Sequence, residues 1–118
     1  MPDCHECPMH MQKHVHEITG STRIFMECHN CHNHRFCGVS GEAKPIPGKQ
    51  DHYHEVKIRT DFSDGHYHEI YGKTSGAIDV GCGKHVHFIK DFTQESDHHR
   101  HEFQVASLID SPTDCMHK

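Results

Sequence analysis

Two histidines separated by one residue recur six times in this chain: His14/His16, His32/His34, His52/His54, His66/His68, His85/His87 and His99/His101. These units hold twelve of the 17 histidines among its 118 residues. Imidazole suits zinc, copper, nickel and iron. On an extended strand, residues i and i+2 share a face and lie roughly 6–7 Å apart, so one H-x-H unit can present two nitrogens to one ion. A second unit from a neighbouring strand would complete a four-nitrogen site, or water would fill the open positions. Six units make about three four-histidine sites, or more sites with fewer ligands. The competing reading is a ladder of stacked, hydrogen-bonded histidines without metal.

The units sit in a regular hydrophobic pattern. With the first histidine as i, position i+4 is Ile18, Phe36, Val56, Ile70, Ile89 or Phe103, apolar in all six cases. Position i+3 is Glu17, Arg35, Glu55, Glu69, Phe88 or Glu102, charged in five of six. Alternation of this kind belongs to a half-buried strand, with the histidine pairs on the face that turns inward. Glu17, Glu55, Glu69 and Glu102 then point away from their own histidines, toward a neighbouring strand or subunit. Nearby carboxylates are candidates to orient ring N–H groups.

Glycine and proline interrupt the chain often, as at Pro45-Ile46-Pro47-Gly48, Asp64-Gly65 and Gly81-Cys82-Gly83, and no segment sustains helical spacing. The expected fold is all-β, with short strands in three internal repeats that stack as a meander, a sandwich or a solenoid. The repeats open at His14, His52 and His85, and within them the second unit follows by 18, 14 and 14 residues. Residues 1–13 read as a Cys/His-rich arm, 14–112 as the β repeat domain and 113–118 as a tail.

Seven cysteines cannot all pair within one chain. Cys4 and Cys7, and Cys28 and Cys31, have the C-x2-C spacing of a zinc site. Disulfides, within or between chains, and free thiols are the alternatives. Cys28-His29-Asn30-Cys31-His32 also matches the c-type haem attachment pattern, which would make the chain a haem or redox-metal electron carrier.

Composition narrows the remaining classes. The chain is polar, 33% hydrophobic with no Trp and a mean hydropathy of -0.81. Chains this poor in core material often need a metal, disulfides or a partner subunit. The net charge is -5, and the 12 Lys and Arg do not cluster, so nucleic acid is not an expected partner. No apolar run could span a membrane and no signal-peptide pattern is visible, so membrane insertion is not expected. H-E-x-x-H, G-x-S-x-G and phosphate loops are absent, and repeated similar units argue against one asymmetric catalytic centre; an enzyme is not expected.

The ordered string HVHE, HNHRF, HYHE, HYHE, HVHF and HRHEF, with GVSGEA and TDF between units, resembles the YmaF family of small His-rich bacterial proteins over residues 14–112. The resemblance implies no specific activity, and the cysteine pairs look like additions to its pattern. The residues themselves point to a multi-site transition-metal protein holding several copper, zinc or nickel ions. Metal or Cys links would tie it into a homo-oligomer or filament, with a cell-surface or extracellular place if it forms one. Soluble metal storage is the alternative in which a monomer suffices.

Overall fold

The computed structural model describes residues 14–27 and 30–112. The N-terminal arm 1–13 and the tail 113–118 lie outside them. The strands are β1 (Val15–Ser21), β2 (Phe25–Glu27), β3 (Asn30–His32), β4 (Arg35–Val39), β5 (Lys44–Pro45), β6 (His52–Tyr53), β7 (Glu55–Arg59), β8 (Glu69–Lys73), β9 (Ile78–Gly81), β10 (Lys84–Val86), β11 (Phe88–Phe92), β12 (Glu102–Ala106) and β13 (Asp110–Ser111). The described residues contain no helix, and the fold is all-β.

Three antiparallel pairs form the body. β1 pairs β4 from Glu17↔Val39 to Ser21↔Arg35. β7 pairs β8 from Glu55↔Lys73 to Arg59↔Glu69. β11 pairs β12 from Phe88↔Ala106 to Phe92↔Glu102. Short ribbons β2–β3, β5–β6 and β9–β10, and the pairing of β13 with β1, lead into four of the H-x-H units. The other two follow tight turns closed by Ser63↔His66 and Ser96↔His99. Both turn residues have positive φ, 56° and 82° at Asp64 and Gly65, 53° and 66° at Asp97 and His98. That is the type I′ geometry that a right-twisted hairpin needs.

The pairs neighbour one another in chain order, as in a meander, and they do not stack as a solenoid. In a solenoid the last unit is remote from the first. Here the third pair bonds back to the first. At one end Gly41 N–H donates to Glu55 O (2.9 Å), Ser75 N–H to Phe88 O (2.8 Å) and Leu108 N–H to Glu17 O (2.8 Å). At the other, Asp61 N–H donates to Arg35 O (2.8 Å), Gln94 N–H to Glu69 O (2.7 Å) and Arg23 N–H to Glu102 O (2.8 Å). The same bond recurs at each junction, so the three pairs enclose one interior.

That interior is small. Ile18, Phe36, Val56, Ile70, Ile89 and Phe103, the i+4 positions, are all buried, joined by Ile58 and by half-buried Val105. The alternation therefore delivered the core directly. Packing is close: a Cβ at Gly38 would lie 2.7 Å from Ile58 Cγ1, and one at Gly20 would lie 3.0 Å from Phe36 Cζ. Gly38→Ala should cost about 1–3 kcal/mol through overpacking, and Phe103→Ala about 3–5 kcal/mol through lost burial and a cavity. Denaturant midpoints of the chelator-treated protein check both; unchanged midpoints would contradict the packing described.

Candidate metal centres

Antiparallel pairing decides where each H-x-H unit goes. Two adjacent strands start at opposite ends of their pair, so consecutive units are delivered to opposite ends of the body. His16, on β1, and His54 and His87, directly before β7 and β11, belong to the first strand of each pair and meet at one end. His34, His68 and His101 belong to the second strand of each pair and meet at the other. The histidines thus gather into two clusters. One holds His14, His16, His52, His54, His85 and His87, with one ring nitrogen of each within 4.8 Å of all the others. The second holds His32, His34, His66, His99 and His101 on the same criterion. His68 joins it, with Nε2 3.2 Å from His99 Nε2 and its ring 4.8 Å from those of His34 and His101.

The histidines do not gather as three four-histidine sites; three units meet at each end instead. The two HYHE tetrapeptides contribute to different clusters: His52 and His54 to the first, His66 and His68 to the second.

Each cluster has octahedral connectivity. In the first, His14, His52 and His85 form a triangle with Nε2···Nε2 distances of 3.1, 3.0 and 3.1 Å. A second triangle is made by His16, His54 and His87, whose ring centroids are 4.5 Å apart. His16 Nε2 meets His85 Nε2 at 3.1 Å, His54 meets His14 at 3.2 Å and His87 meets His52 at 3.2 Å. Every ring stands edge-on to all others of its cluster except the one opposite: His14 opposes His87, His16 opposes His52, and His54 opposes His85. In the second cluster the opposed rings are His32 and His68, His34 and His99, and His66 and His101. An octahedron with edges of 3.0–3.2 Å has its centre about 2.2 Å from each corner, close to the ~2.0–2.1 Å of a zinc–imidazole bond.

The tautomers follow from the other ring nitrogen. A backbone carbonyl only accepts, so an imidazole bonded to one through Nδ1 carries its proton there. The second histidine of every unit does this: His16 to Leu108 O (2.9 Å), His34 to Asp61 O (3.2 Å), His54 to Gly41 O (2.8 Å), His68 to Gln94 O (2.9 Å), His87 to Ser75 O (2.8 Å) and His101 to Arg23 O (2.9 Å). His66 and His99 donate to Asp64 O and Asp97 O at 3.1 and 3.0 Å. Asp64 Oδ2 lies 3.6 Å from His32 Nδ1, and Asp110 Oδ1 lies 3.6 Å from His85 Nδ1. Partners of this kind orient imidazoles at sites that hold metal. In the eight rings bonded to a carbonyl the inward Nε2 is left unprotonated, so the approaches among His34, His66, His68, His99 and His101 at 3.1–3.2 Å are contacts between lone pairs rather than hydrogen bonds.

Burial disfavours the charged form of nine of the rings. His14, His85 and His101 have pKa values lowered to about 4. Burial is the leading cause in each; at His14 the imidazoles of His54, His52 and His16 push the same way, while Asp110 opposes it at His85 and the Arg23 carbonyl opposes it at His101. His16, His34, His52, His54, His68 and His87 are also lowered, again chiefly by burial. Neutral imidazole is the form that binds metal.

A set of hydroxyls holds the backbone of each unit, and the sequence analysis missed it. His16 N–H donates to Ser40 Oγ, His34 to Thr22, His54 to Thr74, His68 to Thr60, His87 to Ser107 and His101 to Thr93, at 2.9–3.0 Å. The N–H of each of these Ser or Thr residues returns a bond to the same histidine's carbonyl at 2.8–2.9 Å. The signal was available: each hydroxyl residue lies six places after the second histidine of a unit, on the strand paired with its target.

Other expected site residues are placed differently. Cys31 is an exposed free thiol on β3 and belongs to neither cluster. Cys4, Cys7 and Cys28 lie outside the described residues, as does His29 of the haem-attachment pattern. His32 Nε2 is drawn into the second cluster, 3.0 Å from His99 Nε2. The glutamates do not orient the histidines: Glu102 pairs with Arg23 at 3.1 Å, Glu55 with Lys44 at 2.6 Å, and Glu69 with the Tyr71 hydroxyl. Aspartates and backbone carbonyls take that role.

The family model described as spore germination protein GerY/YamF, the YmaF family, matches residues 11–109. No curated protein matches the chain, and no solved structure does.

The lowered pKa values set a pH dependence for the metal-free protein. Below pH 6.5, the ordinary histidine value, the unfolded chain takes up protons that the folded chain does not. Stability from these groups is therefore complete above about 6.5 and falls as pH drops toward about 4, the folded value at His14, His85 and His101. Circular-dichroism melts in chelator should show a falling Tm across that window. A constant Tm from pH 7 to 4.5 would contradict the neutral, buried clusters.

Proposed function

We propose, for a chain that belongs to the spore germination protein GerY/YamF family, that it holds two divalent first-row transition-metal ions, one at the centre of each six-histidine cluster. The observation that carries this reading is the convergence of six Nε2 atoms in each cluster at 3.0–3.2 Å, with eight of the twelve rings held by carbonyls in the tautomer that leaves Nε2 unprotonated. A cation between them makes that arrangement favourable.

The geometry also favours a metal class. Zinc in structural sites is almost always four-coordinate, and copper(II) prefers a tetragonal field. Six equivalent imidazoles suit ions that accept a regular octahedron, such as ferrous iron, cobalt(II) or nickel(II). Oxygen-seeking magnesium and calcium are disfavoured by the donor type. Six protein nitrogens would leave no position for water or substrate, so the role is structural retention of the ion rather than catalysis on it.

The ions would then link the three strand pairs of one chain, not one chain to another. Subunit bridging through the histidines is unnecessary for completing a centre, and any homo-oligomer or filament would use other surfaces or the cysteines. Storage is the lesser reading, because ligands locked by backbone carbonyls suit retention better than exchange. The family's description gives spore germination as the setting in which we place the protein.

Elemental analysis of untagged protein from its own source should return two ions per chain. Cobalt(II) reconstitution should give the weak visible bands of six-coordinate cobalt rather than the intense bands of a tetrahedral site. Metal loading should raise the Tm, and EDTA should lower it again. A folded protein that takes up no metal would overturn the reading; tetrahedral cobalt bands would overturn its octahedral form.

A further inference from the structure

The two clusters share an inner design but differ in cover. In both, the inner triangle is sealed: His16, His54 and His87 are 0–1% exposed, and His34, His68 and His101 are 0–2% exposed. The outer triangles differ. At the first cluster the side chains of His52 and His85 are 24% and 15% exposed. At the second, those of His32 and His66 are 9% and 8% exposed.

Phe25 accounts for part of the difference. Its ring stacks on His99, with centroids 4.5 Å apart and planes at 23°. It also lies 6.1 Å from the His32 ring and 5.9 Å from the His101 ring. Among the described residues, no ring other than imidazole stacks on the first cluster. Carboxylates border both outer faces, Asp51 and Asp110 at the first and Asp64 and Asp97 at the second. Charge therefore does not separate the two centres, whereas cover does.

An ion held by six imidazoles leaves only when outer rings swing away and water takes their place. His52 has solvent into which to swing. His99 is pinned between its own cluster and the Phe25 ring. We infer that the two centres are kinetically unequal: the His14/His52/His85 face exchanges its divalent ion with solution, while the Phe25-covered centre retains its ion. This rests on the two-ion reading above and adds a division of labour to it.

The test uses the full chain loaded with cobalt(II) and challenged with excess EDTA. Ions remaining per chain are counted at intervals after rapid desalting. Two phases of one ion each are expected, with rates separated by about tenfold or more. Phe25→Ala should bring the slow phase close to the fast one, and Phe25→Leu, which keeps an apolar side chain, should lie between. His52→Ala should speed or abolish only the fast phase. Circular dichroism confirms that each variant is folded. Loss of both ions at one rate, or a slow phase unchanged by Phe25→Ala and Phe25→Leu, would overturn the inference while leaving the two-ion reading intact. Failure to load any ion would overturn that reading itself.

Discussion

Lone pairs of like polarity pointed at one centre are the constraint on which this structure depends. In the second cluster unprotonated nitrogens approach to 3.1–3.2 Å, and carbonyls behind eight of the twelve rings hold their protons on the outer nitrogen. Such a centre is unfavourable when empty and strongly favourable around a cation. The same elements that make it costly make it specific: carbonyls set the position and tautomer of eight rings, and burial disfavours charge on nine. Buried polar groups normally find partners within the protein. Here the Nδ1 side of eight rings is satisfied internally, and their Nε2 atoms face the centre.

Backbone geometry supplies the aim. Each unit is fixed by a reciprocal pair of bonds to a buried Ser or Thr on the partner strand, as with His68 and Thr60. The residue after that hydroxyl bonds to the adjacent strand pair by its N–H and receives a histidine Nδ1–H at its carbonyl, as Asp61 does with Arg35 and His34. Holding the pairs together and orienting the ligands are thus tasks of the same few residues. Rearrangement at one junction would misalign a ligand in the same step.

The apolar core is small enough that a staple at each end of the body would matter. The buried hydrophobic residues are Ile18, Phe36, Val56, Ile58, Ile70, Ile89 and Phe103, a small set for a body of three strand pairs. They lie between the two clusters, since each strand runs from its histidines at one end, through its core side chain, to its clamping hydroxyl at the other. A core of this size contributes modestly, and small domains commonly add a metal for that reason. An ion at each end would close the structure where hydrophobic contact is thinnest.

Much of this is written in the chain. The period-two pattern placed all six i+4 residues in the core and turned the H-x-H pairs inward, because side chains on a strand alternate strictly between faces. It also marked the β class, through short strands and frequent turns. The partition of the histidines was not recovered from spacing. Units close in sequence, such as His52/His54 and His66/His68, are carried to opposite ends by the antiparallel strands. Ligand number was likewise set by closure: once three pairs bond in a ring, each end receives three units, giving six nitrogens where local reasoning supplied four. Sequence fixes which face a side chain occupies, since that depends only on neighbouring peptide geometry. Which faces meet depends on hydrogen bonds between residues far apart, such as Leu108 to Glu17, and those exist only in the folded chain.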